Sequence, residues 1–124
     1  MDFEIKQLGE LLPSGCSLIA YDGGMRIGYA HISVSGGIAT LADIKVTCFE
    51  KKHFTKLPFL TKKYCYRQKG VGTALLNYVI AVCKSSGVSE IQGKVDGDVS
   101  ILNPWYTKHG FTIRGENMEL KFNA

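Results

Sequence analysis

The residues with the clearest chemical potential are Arg67-Gln68-Lys69-Gly70-Val71-Gly72-Thr73, because they open directly into a helical pattern. A helix N-terminus presents backbone N–H groups without intrahelical partners, and it carries a partial positive charge. Glycines there let the backbone approach an anion without a Cβ in the way. Convergent donors of this kind suit a diphosphate, with Arg67 and Lys69 adding charge. Two common phosphate loops are excluded by spacing. The sequence has no Gly-x-x-x-x-Gly-Lys-Ser/Thr, and of Gly-x-Gly-x-x-Gly only Gly70-x-Gly72 is present. By itself, such a Gly-x-Gly reads equally well as a tight strand-to-helix turn.

The elements around this loop follow from periodicity. Val71, Leu75 and Val79 recur at helical spacing, with Gly72, Leu76, Ile80 and Cys83 on a neighbouring stripe. They predict an amphipathic helix from about Gly72 to Ser86, stopped at Gly87. Upstream, Asp22-Gly23-Gly24 and Ser35-Gly36-Gly37 separate three β-rich runs: Cys16 to Tyr21, Met25 to Val34 and Ile38 to Val46. Glycine turns between such runs predict an antiparallel meander, with Asp2 to Leu8 as a first edge strand. Downstream, Val88 to Val95 predicts a strand. Asn103-Pro104 reads as an N-cap and first helical residue of a short helix ending at Gly110, with Ser100 as the competing cap. Phe111 to Arg114 and Met118 to Phe122 predict a closing hairpin. The order predicts an α/β layer, with helices packed on a mixed sheet.

Composition sets the outer bounds. At 124 residues, 45% apolar and 21% charged, the chain is expected to form one domain, residues 1–124, with one core. No apolar run approaches the roughly 18 residues of a membrane span, and no secretory leader is visible, so a cytoplasmic protein is expected. Cys16, Cys48, Cys65 and Cys83 lack metal-ligand spacing, so no metal is expected and the thiols read as reduced and structural. The net charge of +4 is uneven. Seven of the fifteen Lys and Arg lie between Lys51 and Lys69, with no Asp or Glu among them, which points to an anionic ligand or partner.

Arg67-x-x-Gly70-x-Gly72 resembles the acetyl-CoA loop of the GNAT superfamily of N-acetyltransferases, in which Arg or Gln precedes a Gly-x-Gly/Ala pair. Trp105-Tyr106-Thr107-Lys108-His109-Gly110-Phe111 resembles that superfamily's aromatic-Tyr-Glu-Lys-x-Gly-Phe motif. One helix and one strand separate the two motifs, as in the family. Leu41-Ala42-Asp43-Ile44-Lys45-Val46 resembles the strand that lines the CoA pantetheine. The resemblance covers roughly Ile38 to the C-terminus.

The resemblance implies acyl transfer from acetyl-CoA to a primary amine. It implies a sheet splayed between the 38–46 and 88–95 strands, with the pantetheine pairing along Ile44, Lys45 and Val46. Arg67, Gln68, Lys69, Gly70, Val71, Gly72 and Thr73 would hold the diphosphate. Tyr106 is expected to serve the departing thiolate. Asp43, Glu50, His31 and His53 are candidate bases, and Asp43 is the one on the relevant strand. His109, at a helix C-terminus, reads as structural.

Two departures stand out. About twenty residues separate Val46 from Arg67, where the family usually runs almost straight on. The two helices that usually follow the first strand have no room in Glu10 to Gly15. The acceptor site would then be completed by the basic, aromatic insertion 47–66 or by a second subunit in a homodimer. The acceptor is a small-molecule or peptide amine that the sequence does not name. Two other readings stay open. One is a nucleic-acid-binding module built on the basic and aromatic segment 47–69, although no RNP or helix-turn-helix pattern supports it. The other is a CoA-binding protein without transferase activity.

Overall fold

A computed structural model describes residues 3–46, 48–52, 61–65 and 70–122. Strands β1 (Glu4–Leu8), β2 (Gly15–Asp22), β3 (Met25–Ser35) and β4 (Ile38–Val46) form the expected antiparallel meander. Gly36 and Gly37, both at positive φ, make the two-residue turn between β3 and β4. Positive φ at both central positions matches the right-handed twist of the flanking strands, and glycine reaches it without strain.

After β4 come β5 (Cys48–Lys52) and β6 (Thr61–Cys65), an antiparallel pair in a separate two-stranded sheet. The insertion thus contains a hairpin. Residues 53–60, between its two strands, lie outside the described residues. Helix α1 (Val71–Ser85) follows, then β7 (Glu90–Lys94), α2 (Val99–Lys108), β8 (Thr112–Arg114) and β9 (Asn117–Lys121). The main sheet has the order β1-β2-β3-β4-β7-β9-β8. It is mixed, because β4 and β7 are parallel while the other neighbouring pairs are antiparallel.

Both crossovers, β4-α1-β7 and β7-α2-β8, step the same way across the sheet. Right-handed connections therefore place both helices on one face. The packing agrees. Val71, Leu75, Leu76, Val79 and Cys83 of α1 are buried in one cluster with Leu18, Ala30, Leu41 and Ile91 of the sheet and Tyr106 of α2. Each large side chain so buried contributes roughly 1.5–3 kcal/mol. Burial pushes the Cys83 thiol up to about 11, so it stays protonated and packs as a small hydrophobe. Among the described residues no helix covers the other face, and none is long and apolar enough to cross a membrane.

Helix α2 corrects the expectation at Asn103-Pro104. It begins five residues earlier, at Val99, and Pro104 lies inside it. Neither Asn103 nor Ser100 is the cap. Asp98 is, accepting from the Ser100 backbone N–H at 3.0 Å and from its hydroxyl at 2.6 Å. Pro104 forfeits one hydrogen bond, to the Ser100 carbonyl, and its ring crowds that group. The cap and the packing of Leu102, Trp105 and Tyr106 against the core outweigh this. Asp98→Ala should therefore lower stability by about 1 kcal/mol, with Asp98→Asn retaining most of it. Denaturant midpoints of the two variants test this assignment; equal midpoints for wild type and Asp98→Ala would remove Asp98 as the cap.

Candidate active site

The site begins where two strands part. β4 and β7 pair only from Ile38↔Glu90 to Leu41↔Gly93, and beyond that point β4 has no strand partner on the β7 side among the described residues. At the same place β4 carries a bulge. His31 pairs with Asp43 and Ile32 with Leu41, so Ala42 is the extra residue. Side chains alternate along a strand, and one extra residue reverses the phase. Ala39 and Leu41 are buried under α1, while beyond the bulge Ile44 and Val46 pack against the core. Asp43 is turned to the helix-free face, where its Oδ2 accepts from the Tyr29 hydroxyl at 3.0 Å.

A cleft of about 680 Å³ occupies the opening. Leu41 through Val46 line one side, Lys94, Asp96 and Gly97 the other, and Gly72, Trp105 and Tyr106 the helical side. Gly72 is where the start of α1 meets the cleft. Gly70, at φ 81°, turns the chain into the helix, and its carbonyl accepts the first helical bond, from Ala74 at 2.9 Å. Val71, Gly72 and Thr73 are the first helical residues, whose N–H groups lack intrahelical acceptors. The Val71 side chain is fully buried, so only its backbone can serve a ligand. The Thr73 hydroxyl accepts from Trp105 Nε1 at 3.1 Å, tying the two helices together beside the cleft.

A Cβ on Gly72 would lie 3.5 Å from Val46 Cγ2 and 3.7 Å from Trp105 Cζ2. The residue thus forms an uncrowded floor between those two walls. A cleft with an open strand edge along one side and a helix N-terminus at its floor fits an extended thioester cofactor that ends in a diphosphate. Among the described residues, no cluster of three or more His, Cys, Asp or Glu is placed to hold a metal ion.

Tyr106 is 4% exposed, packed edge-on against Phe111 and tilted against Trp105, and it lines the cleft. Burial, and then the charge of Asp43, push its phenol above the ordinary value. It is therefore a neutral proton donor at physiological pH. Its hydroxyl has no hydrogen-bond partner among the described residues.

Of the sequence-predicted residues, Asp43, Ile44, Lys45, Val46, Gly72 and Tyr106 line one cleft, with Gly70, Val71 and Thr73 at the helix start beside it. Arg67, Gln68, Lys69 and His53 lie outside the described residues. Glu50 stands on β5, away from the main sheet's pairing. His31 is exposed on the helix-free face, with its Nδ1 2.6 Å from the Ser17 hydroxyl. His109 is structural as expected: its Nδ1–H donates to the Trp105 carbonyl at 2.8 Å in the last turn of α2. Sequence reasoning missed Tyr29, whose link to Asp43 depends on the bulge. It also missed Trp105 as a wall of the cleft, although the aromatic motif contains it.

The acetyltransferase (GNAT) family model matches residues 2–111. No curated protein matches. Among solved structures, the chain resembles the PaiA N-acetyltransferase of Thermoplasma acidophilum in complex with coenzyme A. The identity is 22%, the TM-score 0.65, and the match covers 88% of this chain and 62% of that one. It resembles the ribosomal-protein-S18-alanine N-acetyltransferase of Escherichia coli at 19% identity and TM-score 0.70, over 90% of this chain and 71% of that one. An IAA acetyltransferase of Bacillus cereus matches at 16% identity and TM-score 0.67, over 98% of this chain and all of that one. The chain thus spans less than two thirds of the first of these. At such identities the structures establish the fold, and the family match covers most of the sequence. This chain belongs to the GNAT family of acetyltransferases.

Proposed function

We propose that this chain transfers an acetyl group from acetyl-CoA to the primary amine of a small molecule or peptide, in the cytoplasm. The observation that carries the reading is one cleft at the β4–β7 parting. It joins an open strand edge, the N-terminus of α1 and two groups able to move protons, Asp43 and Tyr106. Backbone groups of Ile44, Lys45 and Val46 would hold the pantetheine arm. The helix N-terminus at Gly70 to Thr73, joined by Arg67, Gln68 and Lys69, would hold the diphosphate.

Within that frame Asp43 takes one proton from the acceptor ammonium, freeing the nitrogen lone pair to form the C–N bond. As the C–S bond breaks, Tyr106 gives its phenolic proton to the leaving sulfur. The second nitrogen proton leaves to solvent, and solvent reprotonates Tyr106 and deprotonates Asp43. The net products are an amide, a CoA thiol and one proton. Holding both reactants in one cleft supplies much of the rate by positioning.

The reading is tested by thermal shift with CoA, followed by thiol release from acetyl-CoA across a panel of amines, peptides and amino sugars. Saturating CoA at about 100 times its Kd should stabilise the fold by about 2.7 kcal/mol. Stabilisation with turnover on at least one amine class supports the transferase. Stabilisation without turnover on the whole panel would leave a CoA-binding protein, and neither response would overturn the site.

A further inference from the structure

The helix-free face beside the cleft carries a chain of contacts that ends on Asp43. The Ser17 hydroxyl and His31 Nδ1 are 2.6 Å apart. The His31 ring lies against the Tyr29 ring, with centroids 4.8 Å apart. Tyr29 then donates to Asp43 Oδ2 at 3.0 Å. In register, Tyr29 sits opposite Lys45, and Asp43 sits opposite His31. The hydrogen bond is thus a diagonal one, within reach of a long aromatic side chain. It exists because the Ala42 bulge rotates Asp43 away from α1 and onto the Tyr29 side. A carboxylate with one oxygen so occupied has its plane fixed, and its second oxygen is left to take a proton.

We propose that Tyr29 is a positioning residue for the transfer reaction, holding the Asp43 carboxylate so that Oδ1 faces the acceptor amine, with His31 bracing the Tyr29 ring. The proposal rests on the reading of Asp43 as the base. It assigns the helix-free side of the parting as the approach of an amine that arrives as an ammonium ion. The Asp43 carboxylate, accepting the hydrogen bond, holds the Tyr29 phenol above its ordinary value, so the phenol remains a donor while Asp43 cycles. Among the described residues, the charged and titratable groups around Asp43 are Tyr29 and His31 from β3, Lys45 from β4, Tyr106 from α2, and Lys94, Asp96 and Asp98 across the cleft.

The test is kcat and KM, for the amine and for acetyl-CoA, in wild type, Tyr29→Phe, Tyr29→Leu and Asp43→Asn. Tyr29→Phe keeps the ring and loses only the donor. It should lower kcat/KM about fivefold to tenfold and leave the KM for acetyl-CoA unchanged. The loss should fall on kcat rather than on the amine KM, because the hydrogen bond orients the base and does not itself bind the amine. If Tyr29→Phe matches wild type in kcat and in both KM values while Tyr29→Leu is impaired and Asp43→Asn is inactive, Tyr29 only packs and the proposal is overturned with Asp43 intact. If Asp43→Asn is as active as wild type, the base reading itself is wrong, and Tyr29 loses its role with it.

Discussion

Tyr106→Phe should lower kcat about 100-fold while changing CoA affinity less than about twofold, since positioned general acids contribute roughly that much and act only as the bond breaks. The ring packs against Phe111 and Trp105 and survives the change. The hydroxyl makes no bond to a described residue, so its removal leaves no partner stranded. Both arguments separate chemistry from folding. The pH dependence adds a sign. Burial and Asp43 raise the Tyr106 phenol above its ordinary value of 10.0, so the donor is intact at neutral pH and is lost only as pH climbs above that value. Wild-type kcat should fall along that alkaline limb, and the variant should lack it. Stability follows the same group. A raised folded-state pKa contributes stability that is fully present below the unfolded value and lost as pH rises through the folded one. Denaturation midpoints above about pH 10 should therefore fall less steeply in the variant. A variant with wild-type kcat would take Tyr106 out of the reaction.

Much of the scaffold was legible because local chemistry and tertiary packing agree there. The stripe Val71, Leu75, Val79 is the face that α1 buries, and Gly23, Gly36 and Gly37 of the two turns sit at positive φ. The parting of β4 from β7 followed from the family resemblance rather than from any property of the residues themselves. Four features stayed hidden for distinct physical reasons. A bulge has no composition signature, so Ala42 gave no warning that Leu41 and Ile44 would share a face and leave Asp43 on the other. Proline preference at the first helical turn favoured Asn103-Pro104 as a start, yet the Asp98 cap and core contacts carried the helix through Pro104. Tyr29 lies fourteen residues from Asp43, and only register joins them. The insertion read as basic and aromatic, and its pairing of Cys48 to Lys52 with Thr61 to Cys65 was not visible in that composition.

Gly72→Leu should weaken CoA binding at least about tenfold while leaving the fold as stable as wild type or more so. Gly72 is a helical residue, and leucine is the better helix former by roughly 0.5–1 kcal/mol. Its Cβ position is in ordinary contact, at 3.5 Å from Val46 and 3.7 Å from Trp105, so Gly72→Ala fits without movement. The further carbons of leucine have no room in those walls and must enter the cleft, where they would stand in the path of the cofactor. Gly70 makes the opposite prediction. No described residue lies within 4 Å of a Cβ built there, but its φ of 81° is left-handed. Gly70→Ala should thus cost about 1–2 kcal/mol of stability from backbone strain, with a smaller effect on binding. Calorimetric titration with CoA and denaturant midpoints on the same three proteins resolve the two roles. If Gly72→Leu binds CoA as wild type does, the cofactor does not cross the floor between Val46 and Trp105. The N-terminus of α1 would then no longer be its diphosphate site.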